Sequence, residues 1–145
     1  MPRASRTEVF EIPLDAFWAA IVDYKAYPEF ADNVVNTRMV KTRDDGARVK
    51  FFVKLIKQFN YTLDLYHEYP NRVWWSLVRG DLFEKMDGSW DLAPKGKKTI
   101  TVTYTLDVEP KLHIPQPIVK RLIGFNLPRV IHNFYERAAF LASEE

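Results

Sequence analysis

Along residues 6–12 polar and apolar side chains alternate, and Pro13, which has no amide proton to give to a ladder, closes the run; the pattern predicts a first strand. The period then lengthens. Phe17, Trp18, Ile21 and Val22 recur at helical spacing behind Asp15, predicting a short helix over residues 14–22. Tyr27-Pro28 follows, and because the residue before a proline avoids the helical region, a break or tight corner is expected near Tyr27.

From Val34 the period returns to two, and clusters of Gly, Pro, Asn and Asp interrupt it. A strand over 34–41 leads through the hairpin signal Asp44-Asp45-Gly46 into one over 47–56, with Val49, Phe51, Val53 and Leu55 opposite Lys50 and Lys54. In residues 59–69, Phe59, Tyr61, Leu63 and Leu65 oppose Asn60, Thr62 and Asp64; Pro70-Asn71 then turns the chain into a strand over 73–78. The cleanest alternation is 99–109, where Ile100, Val102, Tyr104, Leu106 and Val108 face away from the threonines and Asp107. One dry face and one wet face suit antiparallel strands packed on a core from one side. Between these runs two readings stand. Asp87-Gly88 could be a hairpin turn, or the chain could turn at Gly80-Asp81 and run as one strand over 83–92 with a bulge at Gly88.

Beyond Pro115 and Pro117 the period becomes helical, with Ile118, Leu122, Leu127, Ile131, Phe134, Ala138 and Leu141 in one stripe out to Ser143. Pro128 lies inside that stripe, which predicts a bend over residues 125–128. No helices alternate with the strands to serve as crossovers, so the expected class is α+β: one domain, residues 1–145, in which a curved antiparallel sheet wraps around the long C-terminal helix and leaves an internal apolar cavity.

Composition sharpens this picture. Aromatics make up 14% of the 145 residues, more than a core of this size needs. Lysine and arginine number 21 against 19 acids, a net charge of +2, too small for phosphate-driven binding, so no DNA partner is expected. The absence of cysteine removes disulfides, thiolate nucleophiles and cysteine zinc sites, and fits a reducing compartment. The N-terminal stretch alternates and carries acids, unlike a secretory leader, and the apolar run 17–22 is too short to span a bilayer. A soluble, cytoplasmic protein is expected.

Several short segments then fall in a telling order: Ile12-Pro13 and Trp18, Asp23 with Tyr27-Pro28-Glu29-Phe30, Gly88-Ser89-Trp90 with Leu92-Ala93-Pro94, and Tyr104 with Leu106 before Pro110. Their succession resembles the polyketide cyclase/dehydrase and coenzyme Q-binding branch of the START and Bet v 1-like (SRPBCC) helix-grip superfamily, over nearly the whole chain. The resemblance implies a β-α-α-β6-α grip with a cavity between sheet and last helix, and it places Asp87-Gly88 inside a strand.

The expected cavity lining is Phe51, Val53, Tyr61, Leu63, Trp75, Leu77, Trp90, Tyr104, Leu106, Leu127, Ile131 and Phe134, although any one of these taken singly is ordinary core. Ligand cavities typically measure ~300–1,000 Å³ and are mostly apolar. Trp74 and Trp75 are adjacent in a strand and point to opposite faces; Trp75, in phase with Val73 and Leu77, is assigned to the inside. Trp74, with Lys120, Arg121 and Phe125, is then a candidate for membrane or partner contact, Lys111, Arg129 and Arg137 adding basic charge around the last helix.

Catalytic signals are poor. His67, His113 and His132 show no metal-ligand spacing and read as surface or capping groups; Tyr61, Tyr66, Tyr104 and Arg79 could present polar groups to a pocket. No catalytic residue, metal or cofactor is assigned. The leading expectation is binding or transport of a hydrophobic small molecule, a lipid, isoprenoid quinone or aromatic polyketide, by a monomer or weak dimer. Two alternatives are a cyclase or dehydratase and an interaction module similar to the ribosome-association toxin.

Overall fold

Strand β1 (Arg3–Phe10) pairs with the last strand, β7 (Ile100–Pro110), Arg3 opposite Asp107 and Phe10 opposite Ile100. The computed structural model describes residues 3–54, 57–117 and 127–144. Between those strands lie β2 (Val34–Arg43), β3 (Gly46–Lys54), β4 (Gln58–Glu68), β5 (Arg72–Gly80) and β6 (Phe83–Pro94). All neighbours run antiparallel in the order β1-β7-β6-β5-β4-β3-β2, seven strands in one sheet. The chain crosses from one edge of this sheet to the other through α1 (Leu14–Val22), a 3-10 turn (Tyr24–Ala26) and α2 (Tyr27–Phe30). It returns at its end as α3 (Leu127–Ser143). The α+β architecture expected from the periodicities is the one present, with the grip of sheet around last helix that the resemblance implies.

Local chemistry explains the boundaries. Helix α1 ends at Val22, and Tyr27-Pro28 opens α2 with proline in its first turn, where the missing amide proton costs no internal bond. At the β2–β3 hairpin Gly46 is obligatory: a Cβ there would stand 1.9 Å from the Leu65 carbonyl oxygen of β4. Register shifts in β2, near Val78 of β5 and after Phe83 of β6 mark bulges, which bend strands and increase twist. The bulge expected at Gly88 is not there. Gly88 keeps register between Trp75 and Leu106, and the irregularity in β6 falls at Glu84 instead.

Helix α3 packs chiefly against α1, with β1 and α2 as lesser neighbours. Phe10 stacks on Tyr135 at 4.4 Å and on Phe17 at 6.1 Å, tying β1 to both helices. Phe17, Ile21 and Ile131 are sealed from solvent, so this end of the grip is solid core. Two helices therefore cover the sheet, where the sequence pattern pointed to the last one alone. The bend expected over residues 125–128 lies largely outside the described residues. Among the described residues no helix is long and apolar enough to cross a membrane.

Candidate functional site

The other end of the grip is hollow. A cavity of about 190 Å³ opens between the concave sheet and α3, smaller than the ~300–1,000 Å³ of typical ligand pockets. An unbroken series of aromatic neighbours runs around it. Tyr61 stacks on Phe51 at 5.3 Å, Phe51 meets Tyr27 at 5.9 Å, and Tyr27 stands edge-on to Phe134 at 5.1 Å. From Phe134 the series continues to Trp90 at 5.0 Å, to Tyr104 at 4.5 Å and to Trp75 at 5.9 Å. All seven rings line the cavity. Rings that support one another hold their wall in place, because each edge-on or offset contact contributes about 0.5–1.5 kcal/mol beyond burial.

Aliphatic side chains complete the wall: Val53 on β3, Leu63 and Leu65 on β4, Met86 on β6, Leu106 and Val108 on β7, and Val130 on α3. The expected lining residues Phe51, Val53, Tyr61, Leu63, Trp75, Trp90, Tyr104, Leu106 and Phe134 are thus brought together. Leu77, Leu127 and Ile131 are not on the wall. Leu77 pairs with Leu63 just before the bulge at Val78, and Ile131 belongs to the solid core. Sequence reasoning missed Tyr27 and the stretch Ala31, Asp32, Asn33 and Val34, which supply one rim from a short helix, a loop without periodicity and the first residue of β2. It also missed Asn133, whose only signal was its place one residue before Phe134.

Polar groups on this wall are few. The Tyr27 hydroxyl donates to the Ile21 carbonyl at 2.5 Å. Asp32 at the rim is ion-paired with Arg129 of α3, and Glu29 accepts from Arg137 at 3.3 Å, so α2 and its following loop are tethered to α3 at two points. Burial holds the Tyr27 and Tyr104 hydroxyls well above the ordinary phenol range and pushes Tyr61 up to about 12. At neutral pH all three are neutral donors.

Other candidates sit elsewhere. Tyr66 and Arg79 are not on the cavity wall; Arg79 is exposed, while Tyr66 stacks on Trp74 at 5.7 Å beneath the Arg43 guanidinium. Trp74 is itself half-buried on the outer face, with Arg72 over its ring at 5.3 Å. His67 is not a bare surface group: its Nε2 lies 2.7 Å from the Tyr24 hydroxyl and its ring is edge-on to Trp18, away from the cavity wall. His113 and His132 are exposed. Lys120, Arg121 and Phe125 lie outside the described residues, while Arg129 and Arg137 are engaged by acids and are no open basic face. A shallower depression of about 480 Å³ on the outer face is polar, and its carboxylates lie beside cations: Asp91 by Arg72 at 3.4 Å, and Asp107 and Asp87 sharing Lys85 at 3.3 and 3.9 Å. Among the described residues no group of three His, Asp or Glu is placed to hold a metal ion.

With this geometry in hand, comparison with known proteins is informative. The family profile described as polyketide cyclase / dehydrase and lipid transport matches residues 10–135. No curated protein matches the sequence. Among solved structures, a START superfamily protein from Mycobacterium smegmatis superposes with a TM-score of 0.83 at 23% identity, over 96% of this chain and 98% of that one. A Thermus thermophilus protein also reaches 0.83 at 19% identity, over 99% and 100% of the two chains. The Zhui aromatase/cyclase from a Streptomyces species gives 0.71 at 12% identity, over 97% and 87%. At these identities the likeness is one of fold.

Proposed function

We propose that this chain, which belongs to the polyketide cyclase / dehydrase and lipid transport family, binds a hydrophobic small molecule in the cavity and carries it without transforming it. The observation that supports the reading is the continuous series of seven aromatic rings, from Tyr61 to Trp75, lining a space left unfilled. Water gains little in such a space, whereas an apolar guest removes its own surface from water. A guest with the apolar surface of one aromatic side chain, about 200 Å², gains about 5 kcal/mol at ~25 cal/mol per Å². Association alone costs about 4 kcal/mol or more, so a guest of this size is held loosely, as a carrier requires.

Carriage is favoured over turnover by the chemistry of the wall. Proton transfer at neutral pH calls for a group whose pKa lies near neutrality. The phenols on this wall are driven the other way, and Asp32 is bound to Arg129. The aromatase/cyclase among the structural relatives keeps a cyclase reading in view, and Tyr61 and Tyr104 are the residues such chemistry would use. The small volume suits a compact ring system or the head of a longer isoprenoid quinone or polyketide.

Denaturing the purified protein and analysing its organic extract by mass spectrometry tests the proposal, together with thermal shift and tryptophan quenching on adding compact aromatics. A co-extracted apolar compound, or saturable quenching of Trp75 and Trp90 with a rise in melting temperature, is the expected result. An empty extract and no response to any apolar ligand would remove the carrier reading. Turnover abolished by Tyr61→Phe or Tyr104→Phe would replace it with the enzyme.

A further inference from the structure

Only Asp81 and Leu82 join strands β5 and β6, yet the ladder between these strands lies at the end far from that turn. Arg72, Val73, Trp74 and Trp75 pair with Asp91, Trp90, Ser89 and Gly88, and there the pairing stops. Residues 76–80 and 83–87, the arms nearest the turn, have no paired positions in common. Every other neighbouring pair in the sheet keeps at least eight paired positions where this one keeps four. A hairpin with so short a connection ordinarily pairs from its turn outward. Two bulges account for the reversal. Val78 is the extra residue of β5 against β4, and Glu84 is that of β6 against β7, so each arm is bent by its other neighbour within the unpaired stretch. Ser76, Val78, Arg79 and Glu84 are exposed, which leaves water to serve the backbone groups that face this seam.

The seam lies between two spaces. Trp75, Phe83 and Met86 are on the cavity wall, while Ser76, Asp87, Gly88 and again Trp75 border the depression on the outer face. The rim made by α2 and its loop is tied to α3 through Glu29–Arg137 and Asp32–Arg129, and the end under α1 is solid core. Parts of a fold that lack backbone pairing open at lower free energy than the rest. We infer, taking the cavity to hold a ligand as proposed above, that the seam between β5 and β6 is a portal through the sheet, by which a compact apolar guest passes between the outer depression and the cavity. Trp75, flat over Gly88 at the last paired position, is the fixed edge of the opening. Met86, buried and unbranched, is the side chain that moves aside. A portal sets how fast a guest enters and leaves; the free and bound states, and with them the affinity, stay as they were.

The chain has no cysteine, so Ser76→Cys combined with Asp87→Cys, the first unpaired positions beyond Trp75 and Gly88, can form a single disulfide across the seam. Fluorobenzene is a small probe whose fluorine NMR signal reports both its dissociation constant and its rate of exchange with the cavity. Oxidising the double variant should slow that exchange about tenfold or more while the dissociation constant stays nearly constant, and reduction with dithiothreitol should restore the wild-type rate. In the wild-type protein, amides facing the seam in residues 76–80 and 83–87 should exchange hydrogen faster than those of residues 72–75 and 88–91, a readout that needs no variant. Equal fluorobenzene exchange in the oxidised and reduced forms, or seam amides as protected as the paired positions beside them, would overturn the portal while leaving a binding cavity standing. If fluorobenzene does not bind at all, the cavity reading falls and the portal with it.

Discussion

The indole of Trp75 on β5 lies directly over Gly88 of β6, its cross-strand partner: a Cβ on Gly88 would stand 2.3 Å from Cζ2 and 2.5 Å from Cε2 of the ring. The missing side chain is what lets the tryptophan fold back against its own sheet. Glycine in a strand interior ordinarily weakens it, and this one is retained where a large ring occupies the space a side chain would take. Trp75 is thereby held flat to the wall, next to Tyr104 in the aromatic series, instead of standing up into the cavity.

Gly88→Ala should therefore behave unlike most glycine replacements in strands. The new methyl group also meets the Thr105 carbonyl oxygen at 2.8 Å, so the backbone cannot yield freely and Trp75 must swing inward. Overpacking of this kind costs about 1–3 kcal/mol. Chemical denaturation should show that loss, and quenching titrations should show weaker binding of any apolar ligand. Shortening the ring in Trp75→Leu should recover much of the stability lost in Gly88→Ala, a coupling that a double-mutant cycle measures. Independent, additive effects would mean that the two positions do not press on each other.

Much of this arrangement was legible beforehand, and the parts that were not share a cause. Helix 14–22 and the long alternating strands carry periodicities that burial of one face enforces, so their positions and inward residues follow directly. Phe51, Tyr61 and Tyr104 fall on the cavity wall for that reason. The stripe on α3 was equally clear but covers two destinations. Leu127, Ile131 and Ala138 fill the core, whereas the cavity takes Val130, Asn133 and Phe134, rotated toward the open flank because α1 occupies the other. Periodicity reports which side of a helix is buried; it does not report whether a neighbour or a void lies against it. Gly88 shows the same limit: a glycine in a strand signals a bulge or a close approach, and only the ring above it decides between them.

His67 gives the fold a predictable response to mild acid. Burial, and then the Arg43 charge, hold its imidazole below the usual 6.5, with Asp45 opposing. An unfolded chain accepts a proton there that the folded protein resists. Stability should be level above pH 6.5 on this account and fall as the pH drops from 6.5 toward the lower folded value. Asp64, held below 3.8 chiefly by its hydrogen bond to Arg48, acts only in stronger acid and does not blur this window. His67→Gln keeps an acceptor for the Tyr24 hydroxyl and removes the titration. Urea denaturation at pH 7.5 and 5.5 should show a decline in wild type that the variant largely lacks; equal declines in both would assign the acid sensitivity to other groups.

Phe134 is the point at which the aromatic series crosses from the sheet to the helix, and its removal separates stability from capacity. Its ring sits 5.1 Å from Tyr27, 4.9 Å from Phe30 and 5.0 Å from Trp90, so no single neighbour can collapse into the space it leaves. Phe134→Ala should cost about 3–5 kcal/mol, near the upper range for a buried ring. The same change joins the vacated volume to the existing cavity and admits larger guests. Phe134→Leu should lose less stability and gain less room. Across wild type, Phe134→Leu and Phe134→Ala, affinity for a bulky aromatic such as anthracene should rise as melting temperature falls, because the ligand replaces contacts the protein has lost. A parallel fall in both would mean that Phe134 holds the cavity open instead of filling it, and that the hollow depends on this side chain for its existence.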